Sequence, residues 1–291
     1  MNPFNIFKFL LQVLNKWMDD KAFKMSAALS FYTIISLGPL LYIAIWVAGV
    51  FFGKDAATGQ IVTQIQDFIG HDVAVFIQKA IINLRSGGSN LLTTIISISI
   101  LLFSSTALFA ELHDSLNIIF RVKSKEGKVF LSLVLERLIS FIMVLVTGVF
   151  LILSLIVGTI ISFLSNILGQ YFAIHVSFIN LVNLIIMSSL TFLLFAVIYK
   201  YLSDARLSWK DVFLGSAITT GLFLVGRYLI NLYIQNTNYK SAFGAAGSLV
   251  ILLLWVYYSS QIILFGAEFI YVYAKHYGKG VKTINICEPI D

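Results

Sequence analysis

Charge is what this sequence is poorest in. From Leu138 to Tyr199 it carries no Lys, Arg, Asp or Glu. That excludes a water-soluble domain there, because even a buried helix of a soluble protein shows water one face. An apolar helix crosses the hydrocarbon of a bilayer in about 20 residues, so this run is long enough to cross, turn and cross back. Three more charge-free stretches, 25–53, 86–110 and 241–267, each suffice for one crossing. Cysteine is nearly absent: Cys287 alone makes neither an internal disulfide nor a Cys-based metal site. Histidine is sparse and scattered, at His71, His113, His175 and His276, whereas metal-dependent hydrolysis needs clustered ligands around open coordination positions. We therefore expect no metal, no cofactor and no catalytic residue. Residues 1–24 also lack the basic region, short apolar core and small-residue cleavage site of a secretory signal peptide.

What is present is apolar. Hydrophobic residues make up 59% of the chain and charged residues 12%, about half the charge of a soluble domain. Reading each apolar run to its flanking polar residues gives six transmembrane helices, at about 26–52, 91–110, 138–164, 177–199, 212–234 and 246–274. Of the twenty basic residues, fifteen fall in segments 1–25, 111–137, 200–211 and 275–291, and four in segments 53–90, 165–176 and 235–245. Basic residues resist translocation, so the first set should be cytosolic, with both termini inside. The net charge of +6 is thereby a topology signal; no dense basic cluster points to nucleic acid.

Phe4, Phe7, Leu10, Leu11, Leu14, Trp17 and Met18 recur at helical spacing among Lys8, Gln12, Asn15 and Lys16. They predict an amphipathic helix over 1–25, lying along the membrane or packed on the bundle's cytosolic end. Apolar positions from Ile61 to Leu84 predict two short helices in the outer loop 53–90. Leu108, Leu112, Leu116, Ile119 and Phe120 carry the second helix past the bilayer into the basic inner loop 111–137. The expected fold is an all-α polytopic membrane protein with a six-helix domain over 26–274 and a cytosolic tail at 275–291.

The motif Ala28-Leu29-Ser30-Phe31-Tyr32-Thr33 with Ser36-Leu37-Gly38-Pro39-Leu40-Leu41 resembles the opening motif of the YihY/BrkB family of bacterial inner-membrane proteins. Gly244-Ala245-Ala246-Gly247-Ser248, Leu252-Leu253-Leu254-Trp255-Val256-Tyr257-Tyr258-Ser259 and Gly266-Ala267-Glu268 are similar to its C-terminal motif. Leu116-Asn117 and Trp209-Lys210-Asp211 also fit, so the resemblance covers about 15–278. It implies a multi-pass protein of the bacterial cytoplasmic membrane. It also brings a historical label, ribonuclease BN, which the scattered histidines speak against.

Polar residues within the spans are the candidate site. Arg227 lies 16 residues into the fifth span, roughly 24 Å from its inner start, level with Tyr42, Trp46, Thr94, Ser97 and Ser248 but no acid. It snorkels to headgroups, binds exposed carbonyls, or meets an external anion. Glu268 lies roughly 9 Å inside the inner end of the sixth span, where Arg137 is the expected partner in an inner network with Glu111 and Glu136. Tyr257 or Tyr258, Gln261, Phe265 and Glu268 share one helical face. Gly38 and Pro39 predict a kink or an unwound segment in the first span, and Gly244 and Gly247 a close approach or hinge. Tyr32, Gln261, Glu268 and Arg227, with Tyr258, would line an interior that moves or flips an anionic lipid or envelope precursor. The alternative is a non-transporting scaffold of an envelope complex, in which they only pack the bundle. A membrane-bound ribonuclease comes last. Expected partners are membrane lipids, with no nucleic acid.

Overall fold

The computed structural model describes residues 3–52, 75, 78, 106–124, 129–171, 176–236, 247–278, 280–283 and 287–289. Seven helices occupy them: α1 Pro3–Asp19, α2 Ala22–Phe52, α3 over 106–119, α4 Val129–Tyr171, α5 Val176–Tyr201, α6 Trp209–Asn236 and α7 Gly247–His276. Within α4 to α7, the stretches Val134–Ile161, Leu181–Tyr201, Trp209–Ile230 and Leu249–His276 are long and apolar enough to cross a membrane. Apart from residues 75 and 78, the outer loop 53–90 lies outside the described residues, as does most of the span expected over 91–110. Of that second helix the described part is α3, whose Leu112, Leu116 and Ile119 are buried, as is Phe120 just after it.

Helical neighbours close on one another in the sequence α2, α4, α5, α6, α7 and back to α2. Small residues permit the tightest of these contacts. Gly226 of α6 lies under the Tyr258 ring of α7, where a β-carbon would have no room. The phenol of Tyr199 on α5 donates to the Ile263 carbonyl of α7 at 2.8 Å and lies 2.8 Å from Thr219 Oγ1 of α6, which ties three helices at one level.

α1 packs on the bundle and still leaves an apolar face open. Its Phe9 and Val13 are buried against Phe269 and Val272 of α7, while Phe7, Leu10, Leu11, Leu14 and Met18 remain exposed, an apolar face suited to the membrane boundary. α1 also stops earlier than expected, at Asp19. The chain turns through Asp20 and Lys21, and α2 begins at Ala22. α2 then continues as helix through Gly38 and Pro39, so the unwound segment considered there is not formed; a proline within a helix forgoes one hydrogen bond without ending it.

At the basic end of the bundle α3 runs to 119, as the apolar positions from Leu108 to Phe120 predict, and α4 starts at Val129, earlier than the expected 138. The tail expected over 275–291 is strapped down. β1 Val122–Ser124 pairs antiparallel with β4 Cys287–Pro289, setting Ser124 opposite Cys287, and β2 Ala205–Arg206 pairs with β3 Lys282–Thr283. The all-α expectation therefore holds apart from these four short strands. Val122, Ala205 and Cys287 of these strands are buried in one core with Leu29, Leu116, Ile119, Phe120, Met143, Leu202, Leu264 and Ile270.

Candidate functional site

Among the described residues, two groups of charged side chains lie at this basic end. The first joins three separate elements. At the α1–α2 turn, Asp20 is 6% exposed and its Oδ1 accepts a 2.6 Å bond from Nη2 of Arg121, which follows α3. Burial alone would lower the Arg121 pKa; the hydrogen bond and charge of Asp20 outweigh it and raise it. Opposite stands Glu268 of α7, wholly buried. The groups acting on it are Asp20, Arg121 and Lys16. Neither Glu268 oxygen has a hydrogen bond of acceptable geometry, nor has Asp20 Oδ2. Trp17 of α1 packs edge-on toward Phe265, one turn before Glu268, and its buried Nε1 is likewise unpartnered.

The second group centres on His113 of α3, 3% exposed. Its Nε2 lies 3.4 Å from Asp204 Oδ2 and its Nδ1 3.6 Å from Asp114 Oδ1. Asp204, in the turn after α5, is held on two sides by Asn117: Nδ2 donates to Asp204 Oδ2 at 3.0 Å, and the Asp204 amide donates to Asn117 Oδ1 at 2.9 Å. Burial pulls the His113 pKa down, but the bonds and charges of Asp114 and Asp204 push it up to about 9, so the ring is an imidazolium at neutral pH. Asp204 is held low: burial would raise it, and His113, then Asn117 and Cys287, more than reverse that. Glu111 moves up through burial and the nearby Asp114 charge.

Donor atoms of His113, Asp114 and Glu136 lie within 4.8 Å of one another, a set that could hold a metal ion. The sequence spacing of the histidines did not foresee this cluster. A metal would first have to displace the imidazolium proton, and the two flanking carboxylates hold that proton firmly.

The inner network expected of Glu111, Glu136, Arg137 and Glu268 is thus divided. Glu136 feels Asp114, His113, Arg137 and Asp204, whereas Glu268 faces Asp20 and Arg121. The physical reason is packing order: α7 rests on α1, α2 and α6, while α4 rests on α2 and α5. The turn after α3, rather than the start of α4, supplies the cation opposite Glu268. Tyr32, Gln261 and Arg227 are half-buried. Tyr258 spends its hydroxyl on the Leu222 carbonyl at 3.2 Å. Gly247 opens α7, and Gly244 lies outside the described residues.

Sequence reasoning missed Asp20, Arg121, His113 and Asp204, because Asp20 meets Arg121, and Asp204 meets His113 and Asn117, only across long stretches of the chain. Asn117 was within reach through the Leu116-Asn117 motif, although no role followed from it.

The family model described as "Virulence factor BrkB" matches residues 13–284. A UPF0761 membrane protein of Rhodospirillum centenum is 24% identical over 87% of this chain and 54% of its own length. One from Acinetobacter baylyi is 22% identical over 95% of the chain and 64% of its own length. One from Psychromonas ingrahamii is 25% identical over 90% and 86%. The chain therefore spans little more than half to two thirds of the first two relatives, and most of the third. No solved structure matches it. With apolar helices long enough to cross a bilayer and a family match over most of its length, the chain is a membrane protein and belongs to the BrkB family, alongside the UPF0761 membrane proteins.

Proposed function

We propose that the protein moves or flips an anionic lipid, or an anionic envelope precursor, across the bacterial cytoplasmic membrane. Its basic end faces the cytosol in this reading, and it is not an enzyme. The supporting observation is the pair of ionisable residues set within apolar helices, Arg227 in α6 and Glu268 in α7. Charged groups at bilayer depth are expensive and face the bundle interior or water, where they mark substrate and ion paths. Arg227 would take the phosphate or carboxylate of the cargo, because a guanidinium stays charged and offers a planar fork of donors. Glu268 would sit toward the cytosolic end, with Gln261 and Tyr32 between.

The test is reconstitution of the full chain in vesicles holding a labelled anionic lipid, followed by the rate at which label changes leaflet. Protein-dependent movement that falls with Arg227→Gln supports the reading; movement no faster than in empty vesicles removes it.

One observation favours the scaffold alternative. Tyr258, expected to line a cavity, packs on Gly226 and bonds to a backbone carbonyl, as a residue closing a bundle does. In that reading the protein moves nothing and holds together an envelope complex.

A further inference from the structure

We propose that Asp20 and Glu268 together form a proton-binding site, one proton shared between two carboxyl groups, that fastens the α1–α2 turn to α7. The site stands whether or not the chain moves a lipid.

Three buried carboxylate oxygens, Asp20 Oδ2 and both oxygens of Glu268, meet here with no hydrogen-bond donor. Glu268 is fully buried, and Asp20 is the one carboxyl group among those acting on it. An ionised carboxylate taken out of water without donors is strongly unfavourable, and two such groups in contact repel. The nearby cations relieve this only in part. Arg121 commits Nη2 to Asp20 Oδ1, and the Lys16 ammonium stands over the Tyr271 ring, 5.8 Å from its centroid.

A single proton relieves most of this. Carried on Glu268, its O–H donates to Asp20 Oδ2, satisfies two of the three orphaned oxygens and removes one negative charge. The remaining Asp20 carboxylate is then balanced by Arg121. A metal cation is a poorer occupant: hard cations want six or more oxygens, three are present, and the Arg121 guanidinium lies alongside. The proton also has a route. Arg121 is 29% exposed, so the Asp20 edge of the pair lies one side chain from solvent.

The titratable and charged groups facing the pair are Lys16 of α1, Arg121 after α3 and Tyr271 of α7. Raising the pH withdraws the proton, leaves two carboxylates in contact, and loosens the α1–α2 turn from α7. Lowering it restores the latch.

Infrared difference spectra of the full chain in lipid nanodiscs, recorded between neutral and alkaline pH, test the site directly. The expected result is a protonated-carboxyl C=O band at neutral pH that disappears on alkalinisation, is abolished by Glu268→Gln and is shifted by Asp20→Asn. If the wild-type protein shows no such band, or both variants leave it unchanged, the proposal is overturned. Should one variant fail to fold, the loss of the band in Glu268→Gln or its shift in Asp20→Asn, whichever protein folds, decides. A companion titration with sodium or potassium at fixed pH distinguishes the occupant: stabilisation by either ion, with no protonated band, assigns the site to a cation and overturns the proton.

Discussion

Arg121 Nη2 donates to Asp20 Oδ1 at 2.6 Å, and the bond joins two turns that each hold a non-glycine residue in the left-handed region, Lys21 at φ 56° and Arg121 itself at φ 58°. A left-handed backbone costs such a residue roughly 1–2 kcal/mol, so neither turn is favoured by local preference. The ion pair and the packing of α1 on α7 hold them. The same bond sets Asp20 against Glu268, which makes the α1–α2 turn a structural consequence of charges drawn from three elements.

Removing the Arg121 guanidinium should therefore destabilise more than the loss of a surface charge would. Arg121→Leu leaves Asp20 buried beside Glu268 with no cation bonded to it. The expected loss is about 2–3 kcal/mol, below the 3–5 kcal/mol of a fully buried broken pair because Arg121 is part-exposed. Arg121→Lys should recover part of that loss, since an ammonium keeps the charge without the fork. Thermal unfolding in detergent measures both. A change within 0.5 kcal/mol, the range of ordinary surface substitutions, would contradict this account.

His113 gives the molecule a second pH dependence with a defined direction. Its folded pKa of about 9 stands above the unfolded value of 6.5. A raised folded pKa means the contribution is fully present below pH 6.5 and is lost as pH rises through 9. The difference corresponds to about 3 kcal/mol. His113→Gln should abolish this part of the stability–pH profile. Unfolding midpoints collected from pH 6 to 10 on both proteins check it: identical profiles would show that His113 does not titrate in this range.

The helices were legible because lipid burial is a compositional signal: a run such as Leu138 to Tyr199 declares itself without any partner. Glu268 stood out in the same way, as an acid at the end of an apolar stretch. Its neighbours did not. Asp20 and Arg121 are 101 residues apart and sit in turns, where no periodicity marks a facing pair. Depth along a helix placed Arg137 at a suitable level, but level is only one coordinate. Which helix lies beside α7 is decided by packing, such as Gly226 under Tyr258, that composition does not reveal. The strands β1 to β4 were invisible because two or three residues are too few for an alternating pattern.

The Gly226–Tyr258 contact predicts a specific compensation. Gly226→Val places a branched side chain where the Tyr258 ring lies, and overpacking of this kind typically costs 1–3 kcal/mol. Tyr258→Ala should cost less in the Gly226→Val background than alone, because the two changes share one space. Proteolytic or thermal stability of the four proteins measures the coupling. Strict additivity would show that α6 and α7 are not in contact at this level.

The reading of the protein as a mover of anionic lipid turns on Arg227, and its variants separate charge from packing. Arg227→Lys keeps a cation on a flexible stem, Arg227→Gln keeps polarity without charge, and Arg227→Leu suits a purely lipid-facing position. If the guanidinium holds the anionic group of the cargo, leaflet exchange of labelled anionic lipid should fall at least tenfold in Arg227→Gln and Arg227→Leu. Arg227→Lys should lie between these and the wild type, since bidentate geometry is lost while charge remains. A zwitterionic lipid with the same tails should be moved no differently by any of the variants. If Arg227 only snorkels, the order reverses on the stability axis: Arg227→Leu gains stability by removing a charge from an apolar span, and transport is untouched. Measuring exchange and unfolding on the same preparations decides between them, because a substrate guanidinium couples loss of charge to loss of rate, whereas a snorkelling one couples it only to stability.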